Sequence, residues 1–268
     1  MLDALNEIRF LLEERTKQYN HVDFIETDPI QIPHKFGRKE DVEIAGFLTA
    51  SIAWGQRTTI IKNAEKLMLI MDNSPFEFIM NVEPDSIREK LEEAKFVHRT
   101  FNADDCTFFL MSLQNIYQNH GGLEKVFTDG YIQSGSVEGS LIYFRKIFLS
   151  INHEKRVAKH VSDVSKNSSA KRLNMYLRWM VRSDQQGVDF GLWQNIPTSA
   201  LLLPLDVHTG DVARALGIFT RKQNDLKAVA EIMSVLRQFD PVDPVKYDFA
   251  LFGMGAFEGK NNKIPSRL

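Results

Sequence analysis

Two residues in this chain are placed to do chemistry, an aspartate and a lysine, each at the start of a helical pattern. Asp206 follows the apolar run Leu201–Leu203 through Pro204 and Leu205, and a helical pattern after it closes at Gly217. Asp206 stands where an N-cap belongs and Gly217 where a C′ glycine belongs. Pro204 keeps Leu203 out of the helical region, so the turn into the helix is sharp. The result is one carboxylate fixed at a helix N-terminus, either as a cap alone or as a catalytic group. Lys171 opens the pattern RLNMYLRWMVR, whose apolar stripe is Leu173, Tyr176, Leu177, Met180 and Val181. With Ser168 or Ser169 as N-cap, Lys171 falls in the first turn, facing the positive end of the helix dipole with Arg172 beside it. Both neighbours disfavour the ammonium form, and a lysine relieved of its proton is a nucleophile. The plainer alternative is a surface lysine carrying a small dipole penalty.

A third stretch, Trp54-Gly55-Gln56-Arg57, joins an apolar helix (VEIAGFLTASIAW, capped by Asp41) to a second one starting at Thr58 or Thr59. It reads either as a tight helix–helix corner with Trp54 in the core, or as a loop that contacts bases and phosphates.

The elements that hold these residues are helical nearly throughout. Leu2, Leu5, Ile8 and Leu12 mark a first helix, followed by a turn-rich connection from Asn20 to Gly37. Further helices open at Ser74-Pro75, at Pro84 and at about Ala103, the last ending at the Gly121-Gly122 pair. Another begins at Leu123, then a soft segment TDGYIQSGSVEGS precedes the apolar helix LIYFRKIFLSI. Asp225–Phe239 is amphipathic. The closing helix has Pro244 in its first turn, a buried face at Tyr247, Ala250, Leu251 and Met254, and an end at Gly255. The tail from Glu258 reads as loose. Almost no stretch alternates strictly, so the chain is expected to be all-α with no sheet of three or more strands. No 34- or 42-residue self-similarity points to a solenoid.

The 268 residues suffice for one large domain or two intimate ones. A single cysteine, Cys106, excludes a disulfide framework, a four-cysteine iron–sulfur cluster and a cysteine zinc site within one chain. Seven histidines are scattered without a His-Glu-x-x-His pairing, so no metal and no cofactor are expected. No apolar run is long enough for a membrane span, and the charged amphipathic N-terminus is no signal peptide; a cytoplasmic protein is expected. The net charge of −2 is unlike that of a sequence-independent DNA coat, although an enzyme touching a few phosphates need not be basic.

The order of these parts resembles the helix–hairpin–helix DNA glycosylases. The carriers are a lysine at a helix start, a connector, an apolar run, then Pro204-Leu205-Asp206-Val207-His208 and a helix holding Val212, Ala213, Arg214, Leu216 and Gly217. Asp206 lies 35 positions after Lys171, a spacing nearest the archaeal 8-oxoguanine DNA glycosylase branch, and AKRLNMYLRWM is similar to that branch's lysine helix. The likeness overall is to an uncharacterised bacterial family distantly related to these enzymes. It covers about residues 160–257 well and Ala45–Arg57 loosely. One departure is plain: where the family carries a glycine-bearing hairpin, this chain reads SDVSKNSSAK.

The resemblance implies a single glycosylase-like unit over 1–268, with helical subdomains 41–160 and 1–40 plus 161–268 around a central cleft. It implies a DNA repair enzyme that extrudes a damaged base, an oxidised purine by the branch's preference, from duplex DNA. Lys171 attacks the anomeric carbon, displaces the base and forms a Schiff base, and β-elimination cuts the strand (AP-lyase activity). Asp206 steadies the sugar cation and helps deprotonate the lysine. Trp54, Gln56 and Phe249 line the base pocket, while Arg57, Lys166, Arg172, His208 and Arg214 touch DNA. His208 is equally read as a packed or capping histidine. Against this stand a non-catalytic nucleic-acid-binding relative and a helical protein–protein adaptor.

Overall fold

The computed structural model describes residues 2–258; the tail beyond Glu258, read above as loose, lies outside the described residues. The described chain is helical apart from one two-stranded hairpin. In chain order the helices are α1 (Leu2–Tyr19), α2 (Asp23–Thr27), α3 (Lys39–Ser51), α4 (Arg57–Ile70), α5 (Pro75–Asn81) and α6 (Pro84–Glu93). The hairpin strands β1 (Val97–His98) and β2 (Phe101–Asn102) follow. Then come α7 (Ala103–Asn119), α8 (Leu123–Ser134), α9 (Val137–Phe148), α10 (Lys171–Val181), α11 (Val207–Ala215), α12 (Leu226–Phe239) and α13 (Tyr247–Gly253). Among the described residues no helix is long and apolar enough to cross a membrane.

The chain divides into two compact units, residues 25–163 and residues 1–24 with 164–268. In the first, α3 is buried along most of its length, and even its Glu43 is covered, accepting from the Tyr117 hydroxyl at 2.6 Å. Around Phe47 an aromatic core gathers Phe109, Phe144 and Phe148, with ring centroids 5.3 to 6.0 Å away. Asn102 and Asp105 form a reciprocal capping box at the start of α7. The soft segment expected at 128–140 is instead the second half of α8, a two-residue break and the first turn of α9. Ser140 Oγ donates to Phe127 O at 2.6 Å across the two helices, and the chain breaks at Gly135 and Ser136. Asp41 does not cap α3, which starts at Lys39; its carboxylate accepts from the Phe76 amide at 2.8 Å. The connection between α1 and α3 is more ordered than its prolines imply, holding α2 and two 3-10 turns.

The second unit packs α1 and α10–α13. Trp179, Tyr176, Met180, Ile232, Leu236 and Tyr247 form its core, each fully covered. α1 lies along α13, where the Tyr247 hydroxyl donates to Glu13 at 2.6 Å and the Thr16 hydroxyl reaches Lys246 O at 3.4 Å. The closing helix does not end at Gly255: a wider turn, Met254–Glu258, prolongs it, and Glu258 is bound by Arg15 and Tyr19 of α1. Between α10 and α11 the chain is irregular apart from one 3-10 turn, Thr198–Ala200, and is anchored by Trp193 N donating to Met180 O at 2.9 Å.

Candidate functional site: a lysine and an aspartate at two helix starts

The Asp206 end of the site is built as its sequence dictates. Leu201–Leu205 are buried, and Leu205 N donates back to Leu203 O at 2.8 Å in a tight turn about Pro204. The next residue, Asp206, has extended backbone, and its Oδ1 accepts from Thr209 N at 2.9 Å. At the other end of α11, Gly217 takes the left-handed φ of +71° that a C′ residue needs, and Ile218 N closes onto Ala213 O at 2.9 Å. Asn224 holds the cap from outside: its Nδ2 donates to Asp206 O at 2.8 Å, and Arg214 donates to its Oδ1. Asn224 sits where a side chain on residue 210 would be, 2.8 Å from the position of a Cβ, so Gly210 makes room for it. Nothing in the sequence reading pointed to Asn224; the one signal is a small residue, Gly210, one turn into α11.

The Lys171 end departs from expectation. Neither Ser168 nor Ser169 is the N-cap of α10. That position belongs to Ala170, whose backbone is left-handed at φ +46° with no side-chain cap. A left-handed alanine costs on the order of 1 kcal/mol. The surrounding hydrogen bonds hold it: Ala170 N donates to Ser168 Oγ at 3.2 Å, and Asn174 Nδ2 donates to Ser169 O at 2.9 Å. Asn167 is left-handed too, at φ +65°, with its amide on Asp225 Oδ2 at 2.9 Å, while Leu226 N donates to Asn167 O at 3.1 Å. The SDVSKNSSAK segment thus makes its turn with asparagine and alanine at the left-handed positions.

Lys171, the first residue of α10, places its Nζ 3.2 Å from Asp206 Oδ2. The two side chains are 32% and 14% exposed, so the pair opens to solvent on the lysine side. The one carboxylate is therefore divided: Oδ1 caps α11, and Oδ2 meets the amine.

Behind the pair are two more cations, Arg178 on α10, two turns beyond Lys171, and Arg182, the C-cap of α10. Arg178 is 4% exposed, with Nη1 on Asp248 Oδ2 and Nε 3.2 Å from Asp189 Oδ1. Arg182 binds Asp189 at 2.9 Å, Asp184 at 2.6 Å and Asp243 at 3.0 Å. Asp248, 5% exposed near the start of α13, has its carboxyl pushed up to about 6. Burial is the main cause; Arg178 and Lys171 pull the other way, and Asp206 and Asp189 add to the rise. Asp184, which Asn20 Nδ2 also reaches at 2.6 Å, is held below the usual carboxylate range against its own burial. Sequence reading missed this ladder, because Arg178 and Arg182 stand in an apolar pattern and Asp248 between two aromatics.

The remaining sequence candidates fall in several places. His208 is exposed on α11, and Lys166 is exposed in a 3-10 turn ahead of α10. Arg172 is half-buried, and burial lowers its guanidinium to about 10. Arg214 has its donors on Arg221 O, Lys222 O, Asp211 and Asn224. Phe249, 1% exposed, lies under Arg178 with the guanidinium 4.4 Å from its ring centre, and against Phe24 at 5.4 Å. Trp54, Gln56 and Arg57 belong to the other unit. There Trp54 meets His98 edge-on at 4.8 Å and stacks over His160 at 6.1 Å, Gln56 is the exposed N-cap of α4, and Arg57 is its first residue. The helix expected from Thr58 or Thr59 therefore starts one or two residues earlier. Cys106 is buried, and burial pushes its thiol up. Among the described residues no group of three or more His, Cys, Asp and Glu side chains is arranged to hold a metal ion.

A family model, described as protein of unknown function (DUF2400), matches residues 28–257. No curated protein and no solved structure matches the chain.

Proposed function

We propose that this chain, which belongs to the DUF2400 family, is a DNA glycosylase with AP-lyase activity, built on the helix–hairpin–helix glycosylase plan, with Lys171 as nucleophile and Asp206 as its partner. The observation that carries the reading is the 3.2 Å contact of Lys171 Nζ with Asp206 Oδ2, made by residues at two separate helix starts. A cap alone would leave Oδ2 to solvent.

The chemistry follows from the pair. Asp206 takes a proton from the Lys171 ammonium, which frees the nitrogen lone pair. The amine attacks C1′ of an extruded nucleotide; the C1′–N bond breaks, and the base leaves with the bonding electrons and a proton. While C1′ carries positive charge, the carboxylate steadies it. Opening of the sugar ring gives the imine between Lys171 and C1′, and loss of a C2′ proton then expels the 3′ phosphate. Damaged duplex DNA is the proposed substrate, with an oxidised purine as the first lesion to try. Lys166 and Arg172, near the start of α10, are the proposed phosphate contacts on this unit.

The test is reductive trapping. The native protein is mixed with duplex DNA carrying 8-oxoguanine or an abasic site in the presence of borohydride, which reduces the imine to a stable amine. A covalent protein–DNA band is expected. If neither DNA gives one, the enzyme reading fails and a non-catalytic relative of the same plan replaces it.

A further inference from the structure

The salt-bridge ladder behind Lys171 is larger than packing one helix requires. Along α10 and at its C-cap, three cations (Lys171, Arg178, Arg182) meet five carboxylates (Asp206, Asp248, Asp189, Asp184, Asp243). Replacing such buried pairs with apolar side chains is often neutral or stabilising, so stability alone is a poor account of so many. The ladder also has a direction. It ends at the only one of its cations that is substantially open to solvent, Lys171, and its carboxylates outnumber its cations.

We infer that Asp248, held by Arg178, is a positioning residue for the Lys171–Asp206 pair, fixing the local field in which the pair exchanges its proton. The inference rests on reading that pair as a reaction centre. Asp248 is placed for it. Arg178 ties it to α10 two turns from Lys171, and its charge interacts with both Lys171 and Asp206. Asp248 gains or loses its charge near pH 6, so the field at the pair changes across the range in which an enzyme works. Several charged groups on the elements packed against α13 are engaged elsewhere. On α1, Glu13 serves Tyr247 and Lys246, and Arg15 serves Glu258; Lys246 also binds Asp240. On α11, His208 is exposed, and its replacement serves as the control.

The experiment reads Lys171 directly and uses no DNA. Lysines of the intact protein are dimethylated with carbon-13 formaldehyde, and the Lys171 signal is assigned by its absence in Lys171→Gln. In the native protein its shift is expected to inflect near pH 6. The inflection is expected to vanish in Asp248→Asn, to return in Asp248→Glu and to persist in His208→Gln. A flat native signal, an inflection surviving in Asp248→Asn, or one lost in His208→Gln overturns the inference. If Asp248→Asn fails to fold, the native protein with carbon-13 aspartate decides: the Asp248 carboxyl must titrate at the same pH as the Lys171 inflection. The activity arm is separate. Asp248→Asn is expected to slow trapping at pH 7.5 by roughly tenfold or more with unchanged DNA affinity, as a misplaced pair would. Trapping without the inflection sinks this inference and leaves the glycosylase reading; the inflection without trapping does the reverse.

Discussion

Asp206 meets Lys171 with one oxygen and its own helix with the other: Oδ2 lies 3.2 Å from Lys171 Nζ, and Oδ1 accepts from Thr209 N at 2.9 Å. That division makes the two roles of the carboxylate separable by substitution. A cap needs only an acceptor at Oδ1. Partnering an ammonium, taking its proton and facing a sugar cation need a charge at Oδ2.

Asp206→Asn is therefore expected to fold almost as well as the native protein, because asparagine caps about as well as aspartate. The partly exposed ion pair it removes is worth about 1 kcal/mol or less. Base excision, in contrast, is expected to fall by about a hundredfold or more. Asp206→Ala loses the cap too and should cost roughly a further 1 kcal/mol. Chemical denaturation beside single-turnover excision measures both. Unchanged excision in Asp206→Asn would leave the residue a cap and nothing more.

Lys171→Gln is expected to abolish reductive trapping while the melting transition stays cooperative, since the side chain is 32% exposed and its ion-pair partner Asp206 sits at the surface end of the ladder. A mass of the reduced, nuclease-digested adduct locates the attachment. Attachment at Lys166 in the variant would move the nucleophile to the 3-10 turn ahead of α10.

The helices, the Asp206 cap and the Gly217 stop were legible in the sequence because each is a local signal: a 3.6-residue period, an acceptor before it, a glycine after it. The start of α10 was not. Two serines ahead of Lys171 look like caps, yet Ser168 turns back onto Ala170 N, and the cap position goes to a left-handed alanine held by contacts with Asn174. The α8–α9 connection was misread for a similar reason. Thr128–Ser134 is polar and glycine-bearing in sequence, and is kept helical by its packing on Ser140. Least legible was the ladder, whose arginines find partners 11 and 70 positions away. Nothing in a sequence period says that a buried arginine at 178 will meet an aspartate at 248.

Binding to DNA is expected to be modest in its salt dependence. The net charge is −2, and Arg214 has spent its donors on carbonyls and side chains of its own unit. A plot of log affinity against log salt for a duplex should give a slope implying about two to five phosphate contacts, at roughly 0.9 ions released per contact. Affinity indifferent to salt, or no binding at about 50 mM salt, would argue against a DNA role.

The buried carboxyl of Asp248 makes a thermodynamic prediction that needs no substrate. In the folded chain it keeps its proton up to about pH 6, whereas the ordinary value, which the unfolded chain adopts, is 3.8. Between these values the folded state binds the proton and the unfolded state does not, so stability falls as pH rises through the window and levels off above it. The drop is on the order of 3 kcal/mol for a shift of this size. Asp243, also raised by its burial, adds a fall of the same sign in native protein and variant alike, so the difference between the two isolates Asp248. Asp248→Asn cannot ionise and leaves Arg178 its bond to Asp189. Its stability relative to the native protein is therefore expected to improve steadily from pH 4 to pH 7, then hold constant. Urea denaturation of both proteins at half-unit pH steps measures this. A stability difference that does not change between pH 4 and pH 7 would show that Asp248 ionises as an ordinary carboxylate, and its role as the titrating member of the ladder would be lost.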